Sequence, residues 1–306
     1  MRYAVIAGGT GSVKLVRGLA STVKEPFAVI CNVGDNIWLH GLYICPDIDT
    51  VMYGLSGLLD EDRGWGIRRD TFHSLAQLAK LGGEDWFKLG DMDLATHLLR
   101  TNRLKAGMSL TKITEILAKR LSIVHLLLPA SDTHFETRII TKEAGEMHLE
   151  EFWVKRKGVD DVVDVKYAGI ESAKPSINVL KSIRDAEKIF IAPGNPISSI
   201  KPTVSIPAIR NALKNTDAEI IAVSPIVGNA PVSGPAGKLM SAVRAEVSAF
   251  GVAKLYSEFA DKILIDTRDA RLKGRIANLG VEPVVVDIIM KDKTDEKAIA
   301  KLLIEL

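Results

Sequence analysis

Three aspartates close to the N-terminus have the type and spacing needed for chemistry on a phosphate. Asp47 and Asp49 stand two residues apart in Cys45-Pro-Asp-Ile-Asp-Thr50, and Asp35 lies in the loop before them. Carboxylates two apart in an extended segment point the same way, and Mg²⁺ in proteins takes one or two carboxylates together with water and phosphate oxygens. The spacing therefore predicts a magnesium site formed by Asp35, Asp47 and Asp49. It fits equally well with Asp47 or Asp49 as the cap of a following helix.

A glycine-rich segment near the start of the chain predicts a phosphate site. The apolar run Tyr3–Ile6 leads directly into Ala7 and Gly8-Gly-Thr-Gly-Ser-Val-Lys14, the pattern of a buried strand that turns into a helix near Ser12. Glycines let the backbone approach a phosphate, and the free N–H groups of the helix start then face the anion. The segment matches neither the P-loop nor the dinucleotide fingerprint, whose third glycine is replaced by Lys14. The predicted phosphate contacts are Gly8, Gly9, Thr10, Gly11 and Ser12, with the Lys14 ammonium reaching a diphosphate.

A second polar cluster places Asp91, Asp93 and His97 at a turn and the start of a helix. Acidic residues suit the first turn of a helix, and a single histidine there is either a structural group or a catalyst. The six histidines form no zinc-binding pattern, and no motif for covalent catalysis is present. Trp38 and Trp86 stand near the polar clusters, where each either stacks on a flat ring or packs against the protein.

The composition excludes two classes of partner. Forty Lys and Arg residues against thirty-eight Asp and Glu leave a net charge of +2, which argues against binding to nucleic acid. No apolar run approaches the ~18 residues of a membrane span, and a strand starting at Met1 leaves no room for a signal peptide. The two cysteines, Cys31 and Cys45, form no CxxC pair, as expected for reduced thiols. We therefore expect a cytoplasmic protein that binds neither nucleic acid nor membrane.

The apolar runs predict the scaffold that positions these residues. Phe27–Cys31 is a continuous apolar run, typical of a strand buried on both faces of a parallel sheet. Similar runs recur at 123–128, 188–192, 219–223, 262–266 and 283–287, mostly separated by helical patterns. We predict a single α/β domain over 1–306, with a doubly wound, mostly parallel, Rossmann-like sheet and helices on both faces. The helical pattern over 51–121 is too long for one crossover and indicates an inserted helical subdomain.

Local signals predict further element boundaries. Residues 135–155 alternate loosely, which predicts a β-hairpin at an antiparallel edge. A helix is expected to begin near Ser205 and Pro207. Pro235 opens another helix whose C-terminal cap is Gly251, and Thr294 is the expected N-cap of the last helix.

The predicted sheet also indicates which loops meet a ligand. Ligands of parallel α/β sheets bind beyond the carboxyl ends of the strands. Loops 7–14, 32–36, 193–199 and 224–237 lie at that edge of the predicted sheet. They add seven nucleotide- or phosphate-binding candidates: Asn32, Asp35, Asn36, Gly194, Asn195, Ser224 and Pro225.

Taken together, the motifs resemble those of the 2-phospho-L-lactate transferase family of coenzyme F(420) biosynthesis, and the resemblance runs almost end to end. No one motif is specific, but their order and spacing are. The matching segments are Gly8–Leu15, Asn32–Asp35, Pro46–Thr50, Trp86–His97, Leu128–Asp132, Pro193–Pro196, Ser224–Gly228 and Gly234–Ala236.

The resemblance implies a Mg²⁺-dependent transfer of a lactyl phosphate from lactyl-2-diphospho-5′-guanosine to the ribityl hydroxyl of a deazaflavin, Fo, with GMP as the second product. In some members of the family the donor carries enolpyruvyl in place of lactyl. By resemblance, Asp49 and Lys88 match deazaflavin-binding positions. We add Asp91, in the helical insert 51–121 that forms part of the deazaflavin site, and Trp38, because the ring is expected between the sheet edge and that insert. Asp49, followed by Asp47, is the predicted catalytic carboxylate that orients the hydroxyl or accepts its proton. The family also suggests a homodimer.

The chain departs from the family pattern at two places, and two other functions compete. Asn36 stands where a second aspartate is expected, and 228–234 is less basic than in the family. A sister branch with the same glycine turn contains regulators that bind nucleotide sugars without turnover. A nicotinamide-dependent oxidoreductase is disfavoured because the third fingerprint glycine is missing.

Overall fold

The computed structural model describes all residues, 1–306, of the chain. Its strands are β1 (Tyr3–Ala7), β2 (Ala28–Cys31), β3 (Ile37–Leu39), β4 (Leu42–Ile44), β5 (Leu126–Pro129), β6 (Glu136–Thr141), β7 (Gly145–His148), β8 (Val162–Ala168), β9 (Lys188–Ile191), β10 (Glu219–Val223), β11 (Ile226–Val227), β12 (Ala230–Pro231), β13 (Lys262–Ile265) and β14 (Glu282–Val285).

Its α-helices are α1 (Gly9–Thr22), α2 (Pro46–Ser56), α3 (His73–Lys80), α4 (Asp91–Lys105), α5 (Leu110–Arg120), α6 (Val179–Arg184), α7 (Lys201–Val204), α8 (Pro207–Lys214), α9 (Ala236–Ala242), α10 (Ala249–Tyr256), α11 (Lys273–Ala277) and α12 (Lys293–Glu305). Short π-helical turns form at Glu151–Lys155 and Pro196–Ile200, and 3₁₀ turns at Ile170–Ser172 and Thr267–Leu272. None of the helices is both long and apolar enough to cross a membrane.

Seven parallel strands form the central sheet, in the order β14-β13-β10-β9-β1-β2-β5. The predicted α/β fold with a mostly parallel sheet is confirmed. Strands β1 and β2 are buried at every residue, because helices and loops cover both faces, and continuous apolar runs are what such strands require. The strand order reverses between β1 and β9, and the loops that leave their carboxyl ends border the crevice where such sheets bind ligands.

Three helices, α3, α4 and α5, lie between α2 and β5 and make up most of the predicted insert. The range 51–121 begins inside α2 and includes the stretch 57–72, which forms no helix and is closed by an isolated bridge between Leu59 and Ile67. Helix α4 packs against β4, and α5 packs against β5. The insert is therefore attached to the central sheet through β5 and to the separate two-stranded sheet formed by β3 and β4.

A separate three-stranded antiparallel sheet, in the order β7-β6-β8, follows the insert. The predicted hairpin is present as β6 and β7, with Ile139 opposite Met147. The expected placement at an edge of the main sheet is wrong, because β6 pairs on its other side with β8. The hairpin thus places the residues after His148 beside the carboxyl edge of the central sheet rather than extending it.

Three helix boundaries differ from the sequence expectation. The helix predicted from Pro235 to Gly251 is two helices, α9 and α10, because Ser248 caps α10 by accepting a hydrogen bond from the Gly251 amide at 3.1 Å. Asp292, rather than Thr294, caps α12, since its carboxylate accepts from the Thr294 amide at 2.7 Å. Helix α1 begins at Gly9, before the predicted start.

Candidate active site

A cavity of about 1030 Å³ opens at the carboxyl ends of the central strands. Its wall combines the start of α1, the first turn of α2, parts of the insert within 59–66 and 87–97, and segments that follow β7, β9, β10 and β14. Of the predicted site residues, those that line it are Gly9, Thr10, Gly11, Lys14, Asp35, Asp47, Asp49, Lys88, Asn195, Ser224 and Pro225. The fold therefore brings most of the predicted residues together.

The glycine turn is needed for close packing as well as for an open helix start. An alanine Cβ at Gly8 would lie 2.5 Å from the Ser199 carbonyl oxygen, and one at Gly11 would lie 2.4 Å from the Pro193 carbonyl oxygen. The Gly9 amide donates to Asp47 Oδ1 at 2.6 Å. The next two amides of α1, those of Thr10 and Gly11, make no hydrogen bond within the protein. They are available to an anion in the cavity.

Asp47 ties the glycine turn to the loop after β2. Its second oxygen accepts a hydrogen bond from Asn32 Nδ2 at 2.9 Å, and Asn32 also donates to the Ser198 carbonyl at 3.2 Å. Burial raises the pKa of Asp47 to about 6, against the opposing pull of these hydrogen bonds. Neither Asp47 nor Asp49 caps α2, whose N-cap residue is Cys45 and which has no side-chain cap. The capping interpretation is therefore wrong.

Two further carboxyl groups share this part of the cavity. Asp35 is buried, and its Oδ1 atom has no hydrogen-bond partner. Burial and the neighbouring charges of Asp47 and Glu150 raise the pKa of Asp35 well above its ordinary value. Burial and Asp47 likewise raise the pKa of Glu150 to about 8. Glu150 follows the hairpin, and nothing in its local sequence marked it as a site residue.

Two of the three predicted carboxylates, those of Asp35 and Asp47, fit Mg²⁺. No three or more His, Cys, Asp and Glu side chains stand ready to hold a metal, so the predicted triad of Asp35, Asp47 and Asp49 is not assembled. Asp35 and Asp47 fit the ion, because they offer oxygen ligands, Asp35 has an unpartnered oxygen, and the two carboxylates disfavour each other's charge. Asp49 does not fit, because Arg100 holds both of its oxygens.

The Asp49–Arg100 pair lies between α2 and α4. Arg100 Nη1 donates to Asp49 Oδ2 at 2.9 Å, and Nη2 donates to Oδ1. The Arg100 side chain is 0% exposed. Burial opposes its charge, yet the Asp49 carboxylate raises the pKa of Arg100. Arg100 was not among the site residues predicted from the sequence, although it stands three residues after His97 on the same helix.

His97 extends this pair into a chain of polar contacts. Its Nδ1 lies 3.1 Å from Arg100 Nη1, and because a guanidinium only donates, Nδ1 is the acceptor. The other ring nitrogen carries the proton and lies 3.3 Å from Asp93 Oδ1 without making a hydrogen bond. Asp93 Oδ1 accepts a hydrogen bond from the Tyr53 hydroxyl at 2.6 Å. His97 and Asp93 both line the cavity. The histidine is thus part of a buried network at the cavity wall.

Lys14 lines the cavity, but its ammonium is already engaged. Lys14 Nζ donates to the Met290 carbonyl at 2.6 Å and so joins α1 to the segment after β14. That carbonyl takes one of the three Lys14 donors, which leaves two for a diphosphate. The other cationic side chains along the wall are Arg17, Arg63, Lys88, Lys157, Lys291 and Lys293. Arg17, Arg63, Lys88 and Lys293 form ion pairs with nearby carboxylates, whereas Lys157 and Lys291 form none.

Several predicted residues support the site from behind. Ser12 accepts from the Gly8 amide at 3.1 Å and donates to its carbonyl at 2.6 Å. Gly194 abuts the same turn, where an added Cβ would lie 2.3 Å from the Gly8 carbonyl oxygen. Asn36 is buried and donates to the Tyr43 hydroxyl at 3.3 Å. None of them lines the cavity, so their contribution is to shape the loops that do.

Two predicted deazaflavin contacts lie outside the cavity. Asp91 Oδ2 accepts from the His73 amide at 3.0 Å and so holds the start of α3. Trp38 is 49% exposed on β3 and packs on Tyr43 with ring centroids 5.0 Å apart. Lys88, by contrast, lines the cavity and is half exposed, with Nζ 3.7 Å from Asp85.

The tryptophans that do line the cavity are Trp65 and Trp153. Trp65 comes from the irregular stretch after α2, where Arg63 lies over its ring at 5.1 Å. Trp153 comes from the turn after β7 and is 42% exposed. Trp38 and Trp86, for which the sequence left stacking on a ring and packing against the protein open, do not line the cavity.

Comparison with known proteins was made for the whole chain. A family model described as 2-phospho-L-lactate transferase CofD matches residues 4–304. The 2-phospho-L-lactate transferase of Methanosarcina mazei is 41% identical over 302 residues, covering 98% of this chain and 99% of the relative. The phosphoenolpyruvate transferase of Streptomyces griseus is 40% identical over 312 residues, covering 100% and 98%.

A solved structure of similar fold comes from Bacillus halodurans. It is a crystal structure of a protein of the UPF0052 family, with a TM-score of 0.64 and 16% sequence identity over 99% of this chain and 98% of that one. At this identity the similarity shows the fold alone.

Proposed function

The chain belongs to the 2-phospho-L-lactate transferase CofD family, and from that premise we propose that it transfers a phospholactyl or phosphoenolpyruvyl group from a guanosine diphosphate-type donor to Fo. The ribityl hydroxyl oxygen of Fo forms a bond to the phosphorus that carries the lactyl or enolpyruvyl group. The bond from that phosphorus to the GMP phosphate breaks, and the hydroxyl proton is released. The products are coenzyme F(420)-0, or its enolpyruvyl analogue, and GMP.

The observation that carries this proposal is that one cavity joins a phosphate-type helix start, buried carboxylates and the helical insert. Its volume of about 1030 Å³ stands at the upper end of the usual range for ligand pockets, which is ~300–1,000 Å³. A volume of this size supports simultaneous binding of a nucleotide donor and a flat acceptor. Phosphoryl transfer needs that arrangement, because its catalysis rests on positioning and on neutralising charge.

The donor is assigned to the side of the cavity near α1. The free amides of Thr10 and Gly11 would face its diphosphate, with Asn195, Ser224 and Pro225 on the adjoining loops. The cations along the wall, among them Lys14, would offset the phosphate charge.

The proposed metal is Mg²⁺. Asp35 and Asp47 would hold it, because Asp35 Oδ1 has no hydrogen-bond partner and each carboxylate disfavours the negative charge of the other. The ion would neutralise charge on the diphosphate when bound. Asp35 and Asp47 keep their positions without it, through burial and through the hydrogen bonds of Asp47 to Gly9 and Asn32.

The acceptor is assigned to the side formed by the insert. Asp49 is held by Arg100, but a carboxylate has about four lone-pair positions, so it still has room to accept a hydrogen bond from the Fo hydroxyl. Lys88 lies on the same side, and Trp65 and Trp153 offer aromatic faces for the deazaflavin ring. We also propose a homodimer, which size-exclusion chromatography with light scattering would test.

Sequence identity does not distinguish the lactyl donor from the enolpyruvyl donor. The relative named 2-phospho-L-lactate transferase is 41% identical and the relative named phosphoenolpyruvate transferase is 40% identical, so the two match equally well. The experiment is to mix the purified protein with Fo, Mg²⁺ and lactyl-2-diphospho-5′-guanosine and to look for GMP and a phosphorylated deazaflavin by mass. The same mixture with the enolpyruvyl donor decides which group is transferred. Guanine-nucleotide binding without product from either donor would overturn the proposal and favour a regulator that binds without turnover.

A further inference from the structure

We propose that Arg100 is the positioning residue of the acceptor side: its guanidinium fixes the Asp49 carboxylate and the His97 ring and so aligns the insert with the edge of the sheet. The inference rests on the proposed function and adds to it a residue that touches neither reacting group. Arg100 is absent from the cavity lining, whereas Asp49 and His97 both belong to it.

Arg100 and Asp49 form a two-point ion pair. Each terminal nitrogen of Arg100 binds a different oxygen of Asp49, with one bond of 2.9 Å and a second from Nη2. A two-point contact between planar groups fixes orientation as well as distance, which a lysine ammonium cannot do. Asp49 therefore presents one defined edge to the cavity.

The pair of Asp49 and Arg100 joins two walls of the cavity that are distant in the chain. Asp49 stands in the first turn of α2, and Arg100 stands near the end of α4. Arg100 Nη1 also lies 3.5 Å from the Tyr43 carbonyl, and the Tyr43 amide donates to Thr101 Oγ1 at 2.8 Å. Side chains of α4 thus bind both peptide groups of Tyr43, which ties α4 to β4.

Helix α4 and the residues before it also bring polar side chains to the cavity. One turn before Arg100, His97 accepts from Nη1 at 3.1 Å and is held by it in a single tautomer. Asp93 lies one further turn back, and Lys88 stands three residues before the start of the helix. A change at Arg100 would therefore move the acceptor wall and leave the glycine turn, which is held by Asp47 and Asn32, in place.

This arrangement also assigns Asp49 its part in the reaction. Both oxygens of Asp49 accept hydrogen bonds from Arg100, and Asp49 orients the acceptor hydroxyl through a remaining lone pair. Taking the hydroxyl proton would leave the buried Arg100 guanidinium without its partner charge, so Asp49 is a hydrogen-bond acceptor and not the base.

The test compares Arg100→Lys and Arg100→Met with Leu213→Ala as a control. Leu213 is buried on α8 and does not line the cavity, so its truncation lowers stability without touching the acceptor wall. For each variant we would measure the Tm, the Kd for GDP, the Kd for Fo from its fluorescence, and kcat and KM for Fo.

Misplacement of a reacting group by about 1 Å can cost on the order of 100-fold in rate. We expect kcat/KM for Fo to fall by about 100-fold in Arg100→Met and by about 10-fold in Arg100→Lys. The Kd for GDP should stay within about twofold, and Leu213→Ala should keep full activity below its Tm.

A merely structural Arg100 would give a different result. Arg100→Lys with a lower Tm but wild-type kcat/KM and wild-type Fo affinity would overturn the proposal, even if Arg100→Met fails to fold. Equal loss of GDP and Fo binding would overturn it as well, because the effect would not be confined to one wall. If wild-type protein makes no product, the proposed function fails, while the Fo titrations of wild type and Arg100→Lys still decide the role of Arg100.

Discussion

The buried pair of Asp49 and Arg100 allows a double-mutant cycle on stability. Two unit charges 2.9 Å apart interact with ~6 kcal/mol at an effective dielectric of about 20, and desolvation offsets much of that gain. Removing one partner leaves the other charge buried and unpaired, which costs ~3–5 kcal/mol. We therefore expect Asp49→Ala and Arg100→Met each to lower the free energy of unfolding by that amount at pH 7.

The double variant Asp49→Ala/Arg100→Met should lose less than the sum of the two single losses, by at least ~2 kcal/mol, because no uncompensated charge remains. The measurement is urea unfolding followed by circular dichroism and by tryptophan fluorescence, with the midpoints and slopes of all four proteins compared. Additive losses, or single losses below ~1 kcal/mol, would refute the reasoning that the two side chains form one buried ion pair.

Three further outcomes follow from the same structure. Gly8→Ala should destabilise the protein by ~1–3 kcal/mol through overpacking and weaken GDP binding. Gly274→Ala lies in α11, where a Cβ meets nothing within 4 Å and alanine is the better helix former, so it should leave GDP binding unchanged and should not lower stability; equal effects of the two variants by urea unfolding and calorimetry would contradict this. The pKa of Glu150 is raised to about 8 on folding, so the folded state binds its proton more tightly and wild-type stability should fall as pH rises from about 4.5 to 8. Glu150→Gln should flatten that profile, and an unchanged slope would show that Glu150 is not buried as described. Trp153→Leu should weaken Fo binding and Trp38→Leu should not, with the opposite ranking in a fluorescence titration contradicting the cavity assignment.

Local pattern was sufficient for the elements and for the edge of the sheet where the site lies. The apolar run Phe27–Cys31 leads into a fully buried parallel strand, and the glycine turn after β1 opens α1 as predicted. Such features depend on residues within one strand or turn, so short-range periodicity and backbone sterics determine them. Ser248 caps α10 and Asp292 caps α12, also through contacts with residues nearby in the chain. The boundaries predicted for these two helices from the sequence were wrong.

The partners of the charged groups were decided only by the tertiary structure. Asp49 meets Arg100 across 51 positions and Lys14 meets the Met290 carbonyl across 276, and no periodicity within an element relates such distant positions. Packing of the insert against β4 determines that Asp49 is neutralised, and the hairpin determines that Glu150 joins the acidic group. The sequence by itself thus determined the family, the fold and the list of polar candidates, because these follow from local pattern and motif order. The roles of those candidates depend on which charges share a desolvated space, and only the folded chain brings them together.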